Sequence, residues 1–203
     1  MSCNRGLTRA RRRHTWLAAL PIIAMLPFVR PVWISEGLVG EGLEWLGYAA
    51  LILCVLGRVW CTAYIGGRKR AELVTGGPYS VVRNPLYVFS FLGVVGIGLA
   101  SEMITVTLFL AALFLVYYRV VVRREEQMLL AGFGAAYATY LARVPRWLPD
   151  FSLWRSPPDL VVRPDRLLST ICDSAWFFAA LPAFEILERL HAGSVIPALL
   201  HLP

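Results

Sequence analysis

Tyr79-Ser80-Val81-Val82-Arg83-Asn84-Pro85-Leu86-Tyr87, answered across one apolar hairpin by Glu125-Glu126, is the stretch whose reading decides the fold. It sets aromatic, basic and acidic groups at the ends of apolar segments of membrane length. Charge is costly in hydrocarbon, so ionisable groups on membrane-spanning segments line a cavity or a water interface. Chemistry is expected where these two stretches meet.

Composition fixes the class around that motif. The 203 residues are 58% hydrophobic and 16% charged, with a mean hydropathy of +0.61. Ordinary soluble domains are about 25% charged. The chain reads instead as an all-α, polytopic membrane bundle of about five transmembrane helices, forming a single membrane domain over residues 1–203. The net charge of +7 does not mark a nucleic-acid surface, because the arginines fall in short clusters at residues 9–13, 68–70, 119–124 and 155–166, between the apolar segments. Cytoplasmic loops collect Lys and Arg in this way. Cys3, Cys54, Cys61 and Cys172 show no metal-ligand spacing, and His14, His191 and His201 are scattered. Neither nucleic acid nor metal is expected as a partner. Cys54 and Cys61 share a helix face and read as small packing residues.

Apolar segments cover residues 16–34, 43–65, 86–100, 104–122 and 167–190, with a short tail at 195–200. A spanning helix needs about 20 apolar residues. The first segment carries Pro21, Pro27, Arg30 and Pro31, which predict a kinked helix that ends early. It follows a basic region without a small-residue cleavage site, so it reads as a retained helix rather than a signal peptide. The third segment is short, but Gly96 and Ala100, one helical turn apart, allow close helix approach. The third and fourth form a hairpin turning at Ser101-Glu102. The last contains Pro182, and its sequence allows either a span or, with the tail, a re-entrant hairpin.

Placing every basic cluster on one side puts the N-terminus, the loop at residues 68–70 and Glu125-Glu126 in the cytoplasm. After Glu126, Leu129, Phe133, Ala136, Tyr137 and Tyr140 recur at helical spacing. They predict a helix at the interface or over a site, or an extension of the fourth helix, stopped by Pro145. Residues 149–164 read as a proline-rich loop with an exposed Trp154.

Pro85 is suited to a first helical position, which makes Asn84 an N-cap whose side chain satisfies orphan backbone donors. Arg119, Arg123 and Glu126 share a helix face and predict a solvated ionic cluster. Glu125 points elsewhere, over Val121 and Val122, and is the better ligand candidate.

Leu73, Gly77, Tyr79, Arg83-Asn84-Pro85-Leu86-Tyr87, Glu125-Glu126, Phe133-Gly134, Tyr137, Tyr140 and Val144-Pro145 together resemble the core of the isoprenylcysteine carboxyl methyltransferase and phospholipid methyltransferase superfamily. The resemblance covers residues 68–149. It implies a helical membrane bundle with a cytoplasmic pocket, S-adenosylmethionine as cofactor, and a lipophilic acceptor entering from the bilayer among membrane lipids. It puts cofactor contacts on Leu73, Tyr79, Arg83, Asn84, Pro85, Leu86, Tyr87 and Glu125, with Glu126 close by. Asn84 stands where the family has His, keeping hydrogen-bonding capacity without titration. The family's substrate-side arginine falls on Val121, and Arg119 is its nearest replacement.

The implied reaction is methyl transfer to an isoprenylcysteine-like carboxylate, a phospholipid amine or another small lipophile. An ammonium must first lose a proton, which makes Glu125 or Glu126 the candidate base. A bacterial inner membrane suits the chain better than endoplasmic reticulum. The alternatives are an NADPH-dependent sterol-reductase-like enzyme, for which no dinucleotide fingerprint is present, and a non-catalytic membrane scaffold.

Overall fold

The computed structural model describes residues 29–31, 37–66, 72–193 and 200–202. Its elements in chain order are β1 (Val29–Pro31), α1 (Leu38–Ile65), α2 (Pro78–Val81), α3 (Pro85–Ala100), α4 (Ile104–Arg143), a 3₁₀ turn (Phe151–Leu153), α5 (Pro164–Ala175), α6 (Ala180–Ala192) and β2 (Leu200–Leu202). Three helical stretches are long and apolar enough to cross a membrane: Leu38–Ile65, Ile104–Arg143 and Pro164–His191. The shorter apolar helix α3 completes the hairpin with α4.

Of the first apolar segment only residues 29–31 are described, at the end where the helix is expected to have stopped. Within it, Val29–Pro31 is extended and pairs in parallel with Leu200–Leu202. Pro31 lacks the amide proton that a helix interior needs. The rest of that segment, the basic residues 9–13 and the cluster at residues 68–70 lie outside the described residues.

Small residues set the packing of α1 on α3. A Cβ added at Gly47 would stand 2.6 Å from the Ala100 nitrogen and 2.8 Å from the Gly96 carbonyl oxygen. The two backbones touch there, as the spacing of Gly96 and Ala100 predicts. Association of helices in lipid gains from such close packing, because burial from water contributes little between them. The hairpin turns at Ser101-Glu102, where Glu102 takes φ 58° and Ser101 Oγ donates to the Gly98 carbonyl at 2.6 Å.

Helix α4 has 40 residues. At 1.5 Å per residue that is about 60 Å, twice the hydrocarbon thickness of about 30 Å. Its second half therefore extends beyond the span. It carries Glu125-Glu126 and then breaks at Gly134, whose φ of 54° and ψ of −127° are open to glycine. The aromatic stretch after Glu126 is thus the fourth helix continued past a break, before Val144-Pro145.

The C-terminal segment runs antiparallel beside α1. Gly66 lies against Arg166, Thr62 hydrogen-bonds Thr170, and Arg58 reaches Ser174. Successive contacts step back four residues on α1 and forward four on α5. That register fits a span better than a re-entrant hairpin. A turn at residues 176–179 joins α5 to α6, and Phe177 packs where Gly93 and Cys54 leave room. Cys54 and Cys61 are both fully buried and free, in keeping with their reading as packing residues.

Candidate functional site

The two halves of the motif come together at one end of the bundle. Tyr87, in the first turn of α3, donates its hydroxyl to Glu125 Oε2 on α4 at 2.7 Å. Arg83, just before α3, stands 3.3 Å from Glu126 Oε1. Between them opens a cleft enclosing about 830 Å³, its open mouth included. Its wall is Ile65 at the end of α1 and the loop residues Glu72, Leu73 and Val74. Tyr79, Arg83, Asn84, Leu86 and Tyr87 line a second side, and α4 supplies Glu125, Glu126, Leu129, Tyr137 and Tyr140.

Local backbone chemistry fixes α2 under this cleft. Gly77 has φ 59°, and a Cβ on it would collide with the Tyr64 ring. Only glycine fits that turn without strain. Pro78 and Pro85 each occupy a first helical turn. The segment after α4 is then laced to the motif. Arg83 N donates to the Pro145 carbonyl at 2.8 Å, Asp150 N to the Val81 carbonyl at 2.9 Å and Gly77 N to the Arg155 carbonyl at 2.7 Å. Tyr140 Oη donates to the Tyr79 carbonyl at 2.8 Å. Tyr137, Tyr140 and Val144 form a buried cluster beneath.

Glu126 is gripped from two sides. Arg146 donates through Nε at 3.1 Å and Nη2 at 2.7 Å, a two-pronged contact that suits the planar guanidinium. Arg83 supplies the third nitrogen. The Glu126 residue is only 8% exposed. This corrects the expected surface cluster: Arg119, Arg123 and Arg124 are exposed, and Glu126 turns inward to Arg83 and Arg146. Arg119 also does not line the cleft, so the structure brings together every other predicted site residue but this one and Pro85, which is buried beside it. Arg146 is the partner that sequence reasoning missed. Its signal was its place directly after Val144-Pro145, where the chain turns back toward the motif.

Asn84 is the N-cap of α3, but its side chain makes no capping bond. Its Nδ2 instead donates to the Arg146 carbonyl at 3.2 Å. The cap expectation is corrected accordingly: the amide ties the returning chain and so helps seat Arg146 on Glu126.

Two buried polar atoms have no hydrogen-bond partner among the described residues: Tyr79 Oη and Arg83 Nε. Tyr79 is only 6% exposed. Burial pushes its phenol well above the ordinary value of 10.0, so it is a neutral hydroxyl at physiological pH. Leaving a buried donor unmade costs about 1–3 kcal/mol. Such orphans in a cleft wall mark groups available to a ligand.

A phospholipid methyltransferase family model matches residues 45–136, which include the motif and both glutamates. The chain is 38% identical over 203 residues to the cobalt-zinc-cadmium resistance protein CzcN of Cupriavidus metallidurans, covering 98% of this chain and 93% of that protein. It is 37% identical over 171 residues to the nickel-cobalt-cadmium resistance protein NccN of Alcaligenes xylosoxydans xylosoxydans, covering 84% of this chain and 78% of that protein. No solved structure matches. Both relatives are named for metal resistance, so the exclusion of metal from the partners does not stand. That exclusion rests on cysteine and histidine spacing, which speaks only of a resident ligand set and not of the setting in which a protein acts.

Proposed function

The chain belongs to the phospholipid methyltransferase family, and on that premise we propose that it transfers the methyl group of S-adenosylmethionine to a lipophilic acceptor in the membrane. The observation that carries this reading is the convergence of Tyr79, Arg83, Tyr87 and Glu125 on one cleft, two of them with unpartnered buried polar atoms. S-adenosylmethionine supplies an activated methyl on a sulfonium, together with an ammonium, a carboxylate and an adenosine. The residues present fit those groups. Arg83 Nε and the neutral Tyr79 hydroxyl offer donors to anionic or carbonyl oxygens, Glu125 and Glu72 offer negative charge to the cationic groups, and Leu73, Val74 and Leu86 offer an apolar wall.

Glu125, steadied by the Tyr87 hydroxyl, is the residue we assign to the reacting end, and the base for any acceptor that must lose a proton. Glu126 has its oxygens engaged by Arg83 and Arg146 and fixes the site. Methyl transfer in line needs alignment and exclusion of water more than acid chemistry. Asn84 contributes no titrating group. Arg119 is not assigned a part at the cleft.

The relatives' names supply the setting. Carboxylates, amines and thiols are all metal ligands or their precursors, and a methyl group alters their affinity for cations. We infer that the methylated product serves a metal-resistance system in a bacterial inner membrane. The positive-inside distribution supports a cytoplasmic N-terminus and cleft. Residues 1–203 form one membrane domain with its methyltransferase core at 68–149. The test is to give the purified protein labelled S-adenosylmethionine and a total lipid extract. Label in the organic phase is expected. Binding with label only in water-soluble acceptors would refute the lipophile. Absence of binding would refute the enzyme, leaving NADPH binding or a scaffold to be measured.

A further inference from the structure

Arg58 lies inside the spanning helix α1, seven residues before its end at Ile65. At 1.5 Å per residue it is about 10 Å below the cleft-side end of the bundle. Its Nε donates to Ser174 Oγ at 2.9 Å and its Nη1 to Ser90 Oγ at 2.5 Å. The Phe177 ring centroid is 5.8 Å from its Cζ. Both serines are buried, and every one of these partners is neutral. Among the described residues no carboxylate pairs with Arg58; the nearest in sequence to its partners, Asp173, is exposed. Among the described residues the third nitrogen, Nη2, donates to no protein acceptor.

A guanidinium stays charged at any biological pH. Inside a spanning helix an uncompensated arginine is unfavourable, and arginines there pair or line a pathway. Serine hydroxyls and a phenyl face solvate the charge without cancelling it. None of the described residues supplies the missing negative charge, and at a membrane face an anionic lipid is a source of it. Basic pockets between membrane helices hold anionic headgroups for this reason. Ser90 Oγ in turn donates to the Leu86 carbonyl at 2.8 Å, so the group lies one helical turn under a residue of the cleft wall.

We propose that Arg58 is a binding site for the phosphate of an anionic phospholipid, seated between α1, α3 and α5 on the cleft side of the membrane. Nη2 takes a phosphate oxygen, while Ser90 and Ser174 hold the guanidinium in place. A zwitterionic lipid brings its own ammonium and leaves the site uncompensated, so the site prefers net negative charge. This inference does not rest on the methyltransferase reading, and its test contains no S-adenosylmethionine.

The full chain, purified in detergent micelles with equal phosphatidylglycerol and phosphatidylcholine, is examined by native mass spectrometry for retained lipid. The wild type should retain phosphatidylglycerol with a preference of about tenfold, the worth of a hydrogen bond to a charged group. Arg58→Gln should lose the preference and Arg58→Lys should keep it, whereas Arg83→Gln, which alters the cleft, should leave it intact. The proposal is overturned if the wild type shows no preference, a measurement that needs no variant to fold. It is equally overturned if Arg58→Gln keeps the preference, if Arg58→Lys loses it, or if Arg83→Gln abolishes it. Displacement of the retained lipid by inorganic phosphate would make the ligand a soluble anion and defeat the lipid assignment.

Discussion

Replacing Arg146 with Met tests the ionic arrangement at the heart of the site. The substitution keeps the side chain's length and removes two donors to Glu126, at 3.1 and 2.7 Å. Breaking a fully buried pair costs about 3–5 kcal/mol. Here Arg83 remains 3.3 Å from the carboxylate, and the Arg146 side chain is 39% exposed, so water can replace part of what is lost. A hydrogen bond to a charged group is worth about 1.5–3 kcal/mol, and about 2 kcal/mol is the figure for the pair. For a chain of 150–250 residues, 1 kcal/mol moves the melting point by about 2–4 °C, which gives a fall of about 4–8 °C in detergent. Arg119→Met, on the exposed face of α4, should shift it by less than about 2 °C, as surface substitutions do. Thermal unfolding of both variants under identical detergent and lipid decides the matter. If Arg119→Met costs as much as Arg146→Met, Glu126 faces the α4 arginines and the inward arrangement is wrong.

Further outcomes follow from single positions. Tyr79→Phe removes a buried unpartnered hydroxyl, so the ligand-free protein should melt no lower than wild type while S-adenosylmethionine affinity drops roughly tenfold; unchanged affinity in calorimetry would take the phenol out of the site. Because burial raises the Tyr79 phenol above 10.0, the unfolded chain ionises it first, so stability is unaffected below pH 10 and falls as pH rises toward the folded value. The slope of melting point against pH above 10 should therefore be shallower in Tyr79→Phe, and identical slopes would contradict the burial. Gly77→Ala meets both φ 59° and the Tyr64 ring and should cost more than about 1 kcal/mol, whereas Gly132→Ala, with nothing within 4 Å, should be near neutral or stabilising; equal melting points would refute the turn. A cysteine at position 102 should be labelled from outside sealed membranes and one at position 72 from inside, and the reverse pattern would invert the orientation.

What the sequence made legible was local. Pro85 as the first residue of α3, the turn at Ser101-Glu102 and the close approach at Gly96 and Ala100 all follow from hydropathy, helix geometry and residue size within a few positions. The meeting of Tyr87 with Glu125 followed from one hairpin and the direction of two helices. What stayed hidden depends on partners distant in the chain. Helical spacing alone paired Glu126 with Arg119 and Arg123, because it carries no information about a chain returning twenty positions later with Arg146. Asn84 has the residue type and position of a side-chain cap, yet it makes no capping bond and its Nδ2 donates to the Arg146 carbonyl. The alignment of α5 beside α1 is set by Arg58–Ser174 and Thr62–Thr170 contacts across more than a hundred residues. The break at Gly134 was visible only as a glycine inside a helical pattern, which by itself fixes no dihedral angle.

The central claim is that the cleft beside Glu125 binds S-adenosylmethionine. Calorimetric titration of that compound into wild type, Glu125→Gln and Glu126→Gln, each confirmed folded by its melting curve, measures it directly. The account predicts saturable binding to wild type, a loss of roughly tenfold or more in Glu125→Gln, and a smaller loss in Glu126→Gln, whose carboxylate faces Arg83 and Arg146. Wild-type protein that shows no binding, or a Glu125→Gln variant that binds as tightly as wild type, would contradict it.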